Sequence, residues 1–258
     1  MKKNLNSSDR CKKYRKKILE ISQSVSALHI GGAFSCVEIL DVIYNEVMKK
    51  NDKFIMSKGH SAIIQYVILY YKGLISENDL KSYCKKNGKL GVHPEFDTNG
   101  IEASTGSLGH GLGIAAGMAL AKPKNHYYVL CSDGELHEGS FWEYVLNIVA
   151  QNIKNLTLIV DNNDLQSSTR STDTHPNLYP IKDKFLSFGW KVEECNGHST
   201  KVLKKILRKN FKSTKANVIV AKTTKGYPIS FMKNKPIWHY RSPNKEEYKQ
   251  AIYEIDNL

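Results

Sequence analysis

The sequence lacks the features that define several large classes of protein. None of its apolar runs approaches the roughly 20 residues that span a bilayer, and no apolar stretch of the signal-peptide kind follows the basic N-terminus. The five cysteines are odd in number, widely spaced and form no C-x-x-C pair. These absences argue against a membrane protein, a disulfide scaffold, structural zinc and thiol redox chemistry, and they predict a cytoplasmic protein.

Acidic residues are scarce relative to basic ones. The chain has 38 Lys and Arg against 25 Asp and Glu, a formal net charge of +13. Clustered basic residues would suggest binding to nucleic-acid phosphates, but the clusters are confined to residues 12–17 and the stretches near 201–215. The scattered remainder is typical of solvated helix faces. A nucleic-acid partner is therefore not expected, and phosphorylated or acidic ligands are favoured over it.

No internal repeat, low-complexity segment or linker divides the chain. The sequence therefore predicts a single domain over residues 1–258, with a C-terminal arm from about residue 236. Apolar runs predict strands at 54–56, 126–131, 156–160, 190–195 and 217–221. Helical periodicity predicts helices at 10–28, 37–47, 62–71, 114–121, 140–151, 181–188, 202–211 and 245–255. This alternation is typical of an α/β fold with a mostly parallel sheet covered by helices on both faces.

Polar residues follow two of the predicted strands where each strand ends. Asp133 and Gly134 follow the strand 126–131, and Asn163 follows the strand 156–160. Ligands of open parallel sheets collect at the carboxyl ends of the strands, so Asp133 and Asn163 meet if the strands are neighbours. Each residue alone is an ordinary turn former. Together, a carboxylate, an amide oxygen and a backbone carbonyl suit Mg²⁺.

A glycine-rich segment fits a second, competing pattern. Gly111, Gly113 and Ala116 match the dinucleotide fingerprint G-x-G-x-x-A, which requires a strand immediately before it. The preceding residues 101–108 have no apolar strand core. NAD binding is therefore disfavoured.

The spacing of Asp133-Gly134 and Asn163 resembles the signature of thiamine diphosphate enzymes, with Ser132 in place of the first glycine of that signature. Four further segments resemble transketolases, in the order that family shows: Ser57-Lys-Gly-His-Ser61, Gly91-Val-His-Pro-Glu95, Ser104-Thr-Gly-Ser-Leu-Gly-His-Gly-Leu-Gly113 and Glu135-Leu-His-Glu-Gly139. This resemblance implies thiamine diphosphate as cofactor together with Mg²⁺, or another divalent cation such as Ca²⁺ or Mn²⁺.

The resemblance also implies three sets of site residues. The metal ligands are Asp133, Asn163 and the carbonyl of Leu165. The cofactor-binding residues are His60, Gly106, Ser107, Leu108, Gly134, Glu135, Glu138 and Asn163. The catalytic residues, which would donate to sugar hydroxyls or move their protons, are His29, His60, His93 and His239.

Three positions depart from the usual transketolase pattern. His110 stands where the family commonly has Gln, Ile30 follows His29 in place of Pro, and Tyr240 follows His239 in place of Gly. These changes flank the predicted site and are expected to alter the substrate channel. The other histidines, at 126, 137, 175 and 198, carry no predicted role.

A transketolase transfers a two-carbon ketol unit from a ketose or its phosphate to an aldose acceptor, with the cofactor as electron sink. In that family a glutamate on the following domain activates the cofactor, and this sequence ends at Leu258. The expectation is a separate subunit carrying the pyrimidine-binding domain, with two copies of each chain in a heterotetramer. No membrane partner is expected.

Other functions remain open at this point. The chain could belong to a split 2-oxo acid decarboxylating enzyme or a deoxyxylulose-phosphate-synthase-like enzyme, although decarboxylating relatives do not need the ordered histidines. It could also be a non-catalytic cofactor-binding scaffold, against which Asp133, Glu138 and Asn163 argue. The donor, the acceptor and the pathway are left undetermined.

Overall fold

The centre of the protein is a parallel β-sheet, seen in a computed structural model that describes residues 5–167, 169–211 and 213–258. The strands in chain order are β1 (Lys53–Met56), β2 (Tyr127–Ser132), β3 (Leu156–Asn162), β4 (Leu165–Gln166), β5 (Thr169–Arg170), β6 (Lys191–Asn196) and β7 (Asn217–Lys222). The main sheet has the order β1-β2-β3-β7-β6, and all its pairs are parallel. Strands β4 and β5 form a small antiparallel pair.

Helices connect these strands and flank the sheet. They are α1 (Ser7–Ser22), α2 (Ile30–Ser35), α3 (Val37–Val42), α4 (Ala62–Tyr71), α5 (Glu77–Lys81), α6 (Gly111–Ala121), α7 (Gly139–Ala150), α8 (Ser171–Thr174), α9 (Ile181–Ser187), α10 (Thr200–Asn210) and α11 (Lys245–Asp256). A π-helical turn, Ile43–Val47, extends α3. The β2-α7-β3 unit joins two neighbouring parallel strands, as the sequence predicts.

Helices cover the sheet on both faces, which confirms the predicted fold class. Along β2, Tyr128 and Leu130 enter one apolar cluster, while Tyr127, Val129 and Cys131 enter the other. The first cluster packs against α1, α2, α3, α4, α10 and α11, and the second against α6, α7 and α9. The inner strands β2, β3 and β7 are buried except for the last residue of β3 and of β7, and this burial on both faces explains their continuous apolar runs.

Two predicted helix limits are wrong. The helix predicted over residues 10–28 ends as α1 at Ser22, whose hydroxyl donates to the carbonyl of Leu19 at 2.6 Å; such local bonds compete with continuation of the helix. The next helix, α2, begins only at Ile30. The helix predicted over residues 114–121 begins earlier, at Gly111.

No helix in the described ranges is both long and apolar enough to cross a membrane. The cytoplasmic location and the single-domain organisation stay predictions from the sequence.

Candidate active site

The adjacency of β2 and β3 brings the predicted metal ligands to one edge of the sheet. Ser132 pairs with Asp161 in the strand register. The carboxylate of Asp133 accepts hydrogen bonds from the backbone N–H groups of Gly134, at 2.9 Å, and of Asp164. Asp133 therefore lies directly against the segment that contains Asn163, as expected for neighbouring strands.

Asp133 is a buried carboxylate without a cationic hydrogen-bond partner among the described residues. Its side chain is fully buried. Burial, and next the charge of Asp161, raise the pKa of Asp133 to about 7. An ionised carboxylate in this position is costly unless a cation neutralises it. The position therefore fits a metal ligand.

The other two predicted metal ligands offer oxygen atoms nearby. The side-chain oxygen of Asn163 accepts from the N–H of Leu165 at 3.1 Å. The carbonyl of Leu165 accepts from the ammonium of Lys225 at 3.3 Å. No group of three or more His, Cys, Asp or Glu side chains is arranged to hold a metal in the part of the chain that the structure describes. A cation at this edge would thus need the mixed oxygen set, which suits Mg²⁺.

A cavity of about 340 Å³ opens at this edge of the sheet. Most of the predicted metal, cofactor and catalytic residues line it: His60, Gly106, Leu108, Gly134, Glu138, Asn163, Leu165 and His239. Asp133 and Glu135 lie buried beneath it, and Ser107 is exposed outside it. The cavity is also lined by four residues for which the sequence predicted no role in the site: Lys58, His137, Gln166 and Lys225.

Two glycines allow close approaches at the cavity wall. Gly106 has a φ of +151°, and a Cβ there would lie 2.9 Å from Cγ of His93. A Cβ on Gly134 would lie 2.8 Å from Cβ of Gln166. A larger residue at either position would clash with these side chains, so glycine allows the close packing of the cavity wall.

Three of the four predicted catalytic histidines form a cluster, and two of them, His60 and His239, line the cavity. The ring centroid of His29 lies 5.4 Å from that of His60 and 5.1 Å from that of His239, and His60 and His239 are 5.7 Å apart. His93 packs behind Gly106 instead. The ring of Tyr240 lies 4.6 Å from His29, with about half of its surface exposed.

The clustered histidines are neutral at physiological pH. Burial, followed by nearby positive charge, lowers the pKa of His29 to about 4 and that of His239 to about 3. Burial and the charge of Lys58 also lower the pKa of His60 well below its ordinary value. A neutral imidazole both donates and accepts hydrogen bonds, so the cluster can bind hydroxyl groups and exchange their protons.

A buried ion pair that the sequence did not predict underlies the cavity. The ammonium of Lys58 donates to the carboxylate of Asp161 and, at 3.0 Å, to the carbonyl of Gly32. Ser35 and Thr223 also donate to Asp161. Burial alone would lower the pKa of Lys58, but the charge of Asp161 raises it, so the pair is ionised.

Removal of one member of this pair should destabilise the protein strongly. Lys58→Met leaves the Asp161 carboxylate buried and unpaired, which is expected to lower the free energy of unfolding by about 3–5 kcal/mol. The matched control is Lys53→Met, which breaks the more exposed pair with Glu102 and should cost less than about 1 kcal/mol. Urea denaturation measures both, and equal losses would contradict the proposed importance of the buried pair.

Lys225 is a second buried cation that the sequence did not predict. Its side chain is 2% exposed, and its ammonium donates to Nδ1 of His239 at 2.9 Å. Burial, and next the charge of Lys58, lower the pKa of Lys225 to about 8. Lys225 bonds to no carboxylate among the described residues, so its charge makes the cavity suitable for an anionic group such as a diphosphate. The location of Lys225 just after β7 was a sequence signal of the same kind as that of Asp133.

Glu135, predicted to contact the cofactor, is buried and links two segments of the chain. Its carboxylate accepts from the hydroxyl of Ser57 and, at 2.9 Å, from the N–H of Gly109. Burial raises the pKa of Glu135 to about 7. These contacts tie the end of β1 to the glycine-rich loop before α6. His110, in that loop, is exposed and does not line the cavity.

Comparisons with known proteins agree with this arrangement. A family model described as "Transketolase, thiamine diphosphate binding domain" matches residues 9–252. One subunit of the apulose-4-phosphate transketolase of Phocaeicola vulgatus is 35% identical over 257 residues, which cover 94% of this chain and 91% of that protein. The 6-deoxy-6-sulfo-D-fructose transketolase subunit SqwG of a Clostridium species is 30% identical over 94% of this chain and 93% of its own length.

A solved structure gives the same result for the fold. The transketolase of Leishmania mexicana superposes with a TM-score of 0.91 at 25% sequence identity. The match covers 98% of this chain but only 41% of that protein. The chain therefore belongs to the transketolase family, as a thiamine diphosphate-binding domain. It is a subunit of a transferase, and thiamine diphosphate is its cofactor.

Proposed function

We propose that this chain is the cofactor-binding subunit of a two-chain transketolase, which transfers a two-carbon ketol unit from a ketose or ketose phosphate to an aldose acceptor. The observation that carries the proposal is the neutral cluster of His29, His60 and His239 beside a cavity lined by lysines. The cavity suits the anionic end of the cofactor, and the imidazoles suit a polyhydroxylated substrate.

The proposal includes a divalent cation, Mg²⁺ or a similar ion, held by Asp133, Asn163 and the carbonyl of Leu165. The buried carboxylate of Asp133 supports it, because a cation would offset the cost of its burial. Lys225 bonds to the carbonyl of Leu165, so metal binding would compete with that contact. Lys225 would then bind part of the remaining charge of the diphosphate.

The residues of this chain would act mainly by binding and by proton transfer. When bound, thiamine diphosphate supplies the electron sink for cleaving and forming a carbon–carbon bond beside a carbonyl. His29 and His239 would donate hydrogen bonds to sugar hydroxyls and accept hydrogen bonds from them, since their low pKa values keep both rings neutral. Gly106 and Leu108 would hold the cofactor against the opposite wall of the cavity.

A separate subunit with the pyrimidine-binding domain completes the proposed enzyme. Relatives that match over nearly their whole length are named as transketolase subunits, which supports a divided enzyme. We infer two copies of each chain, in a heterotetramer. The partner would contribute the glutamate that activates the cofactor and most contacts to the acceptor's phosphate group.

Product analysis of the reconstituted pair tests the function. With thiamine diphosphate, Mg²⁺, a ketose phosphate donor and an aldose phosphate acceptor, the wild-type complex should form a ketose longer than the acceptor by two carbons. His29→Ala should lower kcat by about 100-fold, the usual contribution of a proton-transfer group. Mass spectrometry identifies the products.

The matched control is His126→Ala, which removes a buried imidazole bonded to Thr157 and remote from the cavity; its kcat should stay within about twofold of wild type. Release of CO₂ from pyruvate without two-carbon transfer would instead support a 2-oxo acid decarboxylating enzyme. Lack of any cofactor binding by the complex would support a non-catalytic scaffold.

A further inference from the structure

A chain of buried hydrogen bonds runs from the first helices of the protein to the segment that follows β7. In α1, the guanidinium of Arg15 donates to both carboxylate oxygens of Glu38 in α3, at 2.6 and 2.9 Å. Both side chains are buried. This bidentate pair fixes the orientation of the Glu38 carboxylate.

His198 extends the chain beyond Glu38. Its Nδ1 lies 3.0 Å from a carboxylate oxygen of Glu38, and its Nε2 lies 2.9 Å from the backbone nitrogen of Thr224. A backbone N–H can only donate, so Nε2 is the acceptor. The proton of the neutral ring is then on Nδ1, where it is donated to Glu38. The carboxylate thus selects the tautomer that can hold Thr224.

The same network holds the other side of the segment. The ring of His198 stacks on that of Tyr227, with centroids 3.9 Å apart and an angle of 24°. Arg15 also donates to the carbonyl of Tyr227 at 3.1 Å. Thr224 and Tyr227 are therefore both anchored, and Lys225 lies between them.

Lys225 is the residue of this segment that reaches the cavity. Its ammonium is positioned between Nδ1 of His239 and the carbonyl of Leu165. A long side chain that rests on an unanchored backbone would lose conformational entropy when it binds an anion. Anchoring of the backbone by His198 removes part of this cost.

We propose that His198 is a positioning residue: the Glu38–His198 pair fixes the backbone around Lys225, and so holds its ammonium where it binds the diphosphate group of the cofactor. The inference rests on the proposed function, because it takes that diphosphate as the ligand of Lys225. His198 itself does not line the cavity and acts through Thr224.

Calorimetric titration of the reconstituted complex with thiamine diphosphate and Mg²⁺ tests this role. His198→Phe keeps an aromatic ring against Tyr227 but removes both hydrogen bonds, and should raise the Kd for the cofactor about tenfold, the effect of one such bond. His198→Gln retains an acceptor for Thr224 and should recover part of the affinity. The matched control His126→Phe alters a buried imidazole elsewhere and should leave Kd unchanged.

A double-mutant cycle with Lys225→Met separates positioning from a general structural role. If His198 acts through Lys225, His198→Phe should not weaken binding further in the Lys225→Met background. Additive effects, or an unchanged Kd in His198→Phe with normal wild-type binding, would overturn this inference alone. Failure of the wild-type complex to bind the cofactor would overturn the proposed function, and the inference with it.

Discussion

The chain purified alone should show no transfer from a ketose to an aldose, and addition of its pyrimidine-domain partner should raise the rate by more than about 1,000-fold. Positioning of a substrate against a catalytic group supplies gains of at least this size. The cavity offers cations, glycine backbone and imidazoles, but Glu138 is the one carboxylate that lines it among the described residues, and Glu138 is exposed. The activating carboxylate is therefore expected from the partner.

Rates measured at increasing partner concentration test this expectation. The activity should saturate at equimolar partner, and size-exclusion chromatography with light scattering should show the mass of two copies of each chain. The partner assayed alone is the necessary control. Robust transfer by the isolated chain would refute the requirement for a partner.

Replacement of Asp133 should separate the stability of the chain from its affinity for the cofactor. Asp133→Ala removes the only carboxylate of the proposed metal site and should weaken Mg²⁺-dependent binding of thiamine diphosphate at least about 100-fold. Even residues that only hydrogen-bond to a metal ligand contribute about 10–100-fold to metal affinity. Calorimetry on the reconstituted complex measures the loss. Undiminished binding would contradict the assignment of Asp133 as a metal ligand.

The isosteric change Asp133→Asn shows whether weaker cofactor binding is caused by a folding defect. It keeps an oxygen for one of the two N–H donors, Gly134 and Asp164, which bond to different oxygens of Asp133, and it removes a charge that burial disfavours. The loss of one hydrogen bond and the removal of the charge act in opposite directions, so the cofactor-free variant should stay folded, with a Tm close to that of the wild type. It should lack the increase in Tm that saturating cofactor and Mg²⁺ give the wild type. Asp183→Ala, on the exposed side of α9, is the control and should retain this increase.

The sequence predicted those parts of the fold and site that depend on local pattern. The inner strands are apolar on both faces, so their runs were recognisable, and Asp133 and Asn163 could be located because each directly follows a strand. The end of α1 was not predictable from periodicity, since the apolar spacing continues to Leu28 although the helix ends at Ser22. The roles of the site residues, taken from the resemblance, stay predictions.

The residues that the sequence did not predict depend on contacts between distant parts of the chain. Lys58 and Asp161 lie 103 residues apart. The sequence around each of them therefore gives no indication of the other. Lys58 was inside a recognised segment but has no distinguishing local pattern. His137 was treated as an ordinary histidine, yet the short helical turn Gly134–His137 directs it to the cavity. Such positions follow from the packing of the sheet and could not be inferred from spacing.

The wide separation of the cavity residues along the chain also bears on how the protein forms and persists. His29 and His239 come from opposite ends of the sequence yet their rings are 5.1 Å apart. Contacts of such high sequence separation require loop closure first, so we expect the cavity to be completed late in folding. A ligand bound there stabilises interactions absent from the folding transition state, which slows unfolding and leaves the folding rate unchanged. The cofactor would then set the lifetime of the folded state, through the unfolding rate, and have little influence on how quickly the chain folds.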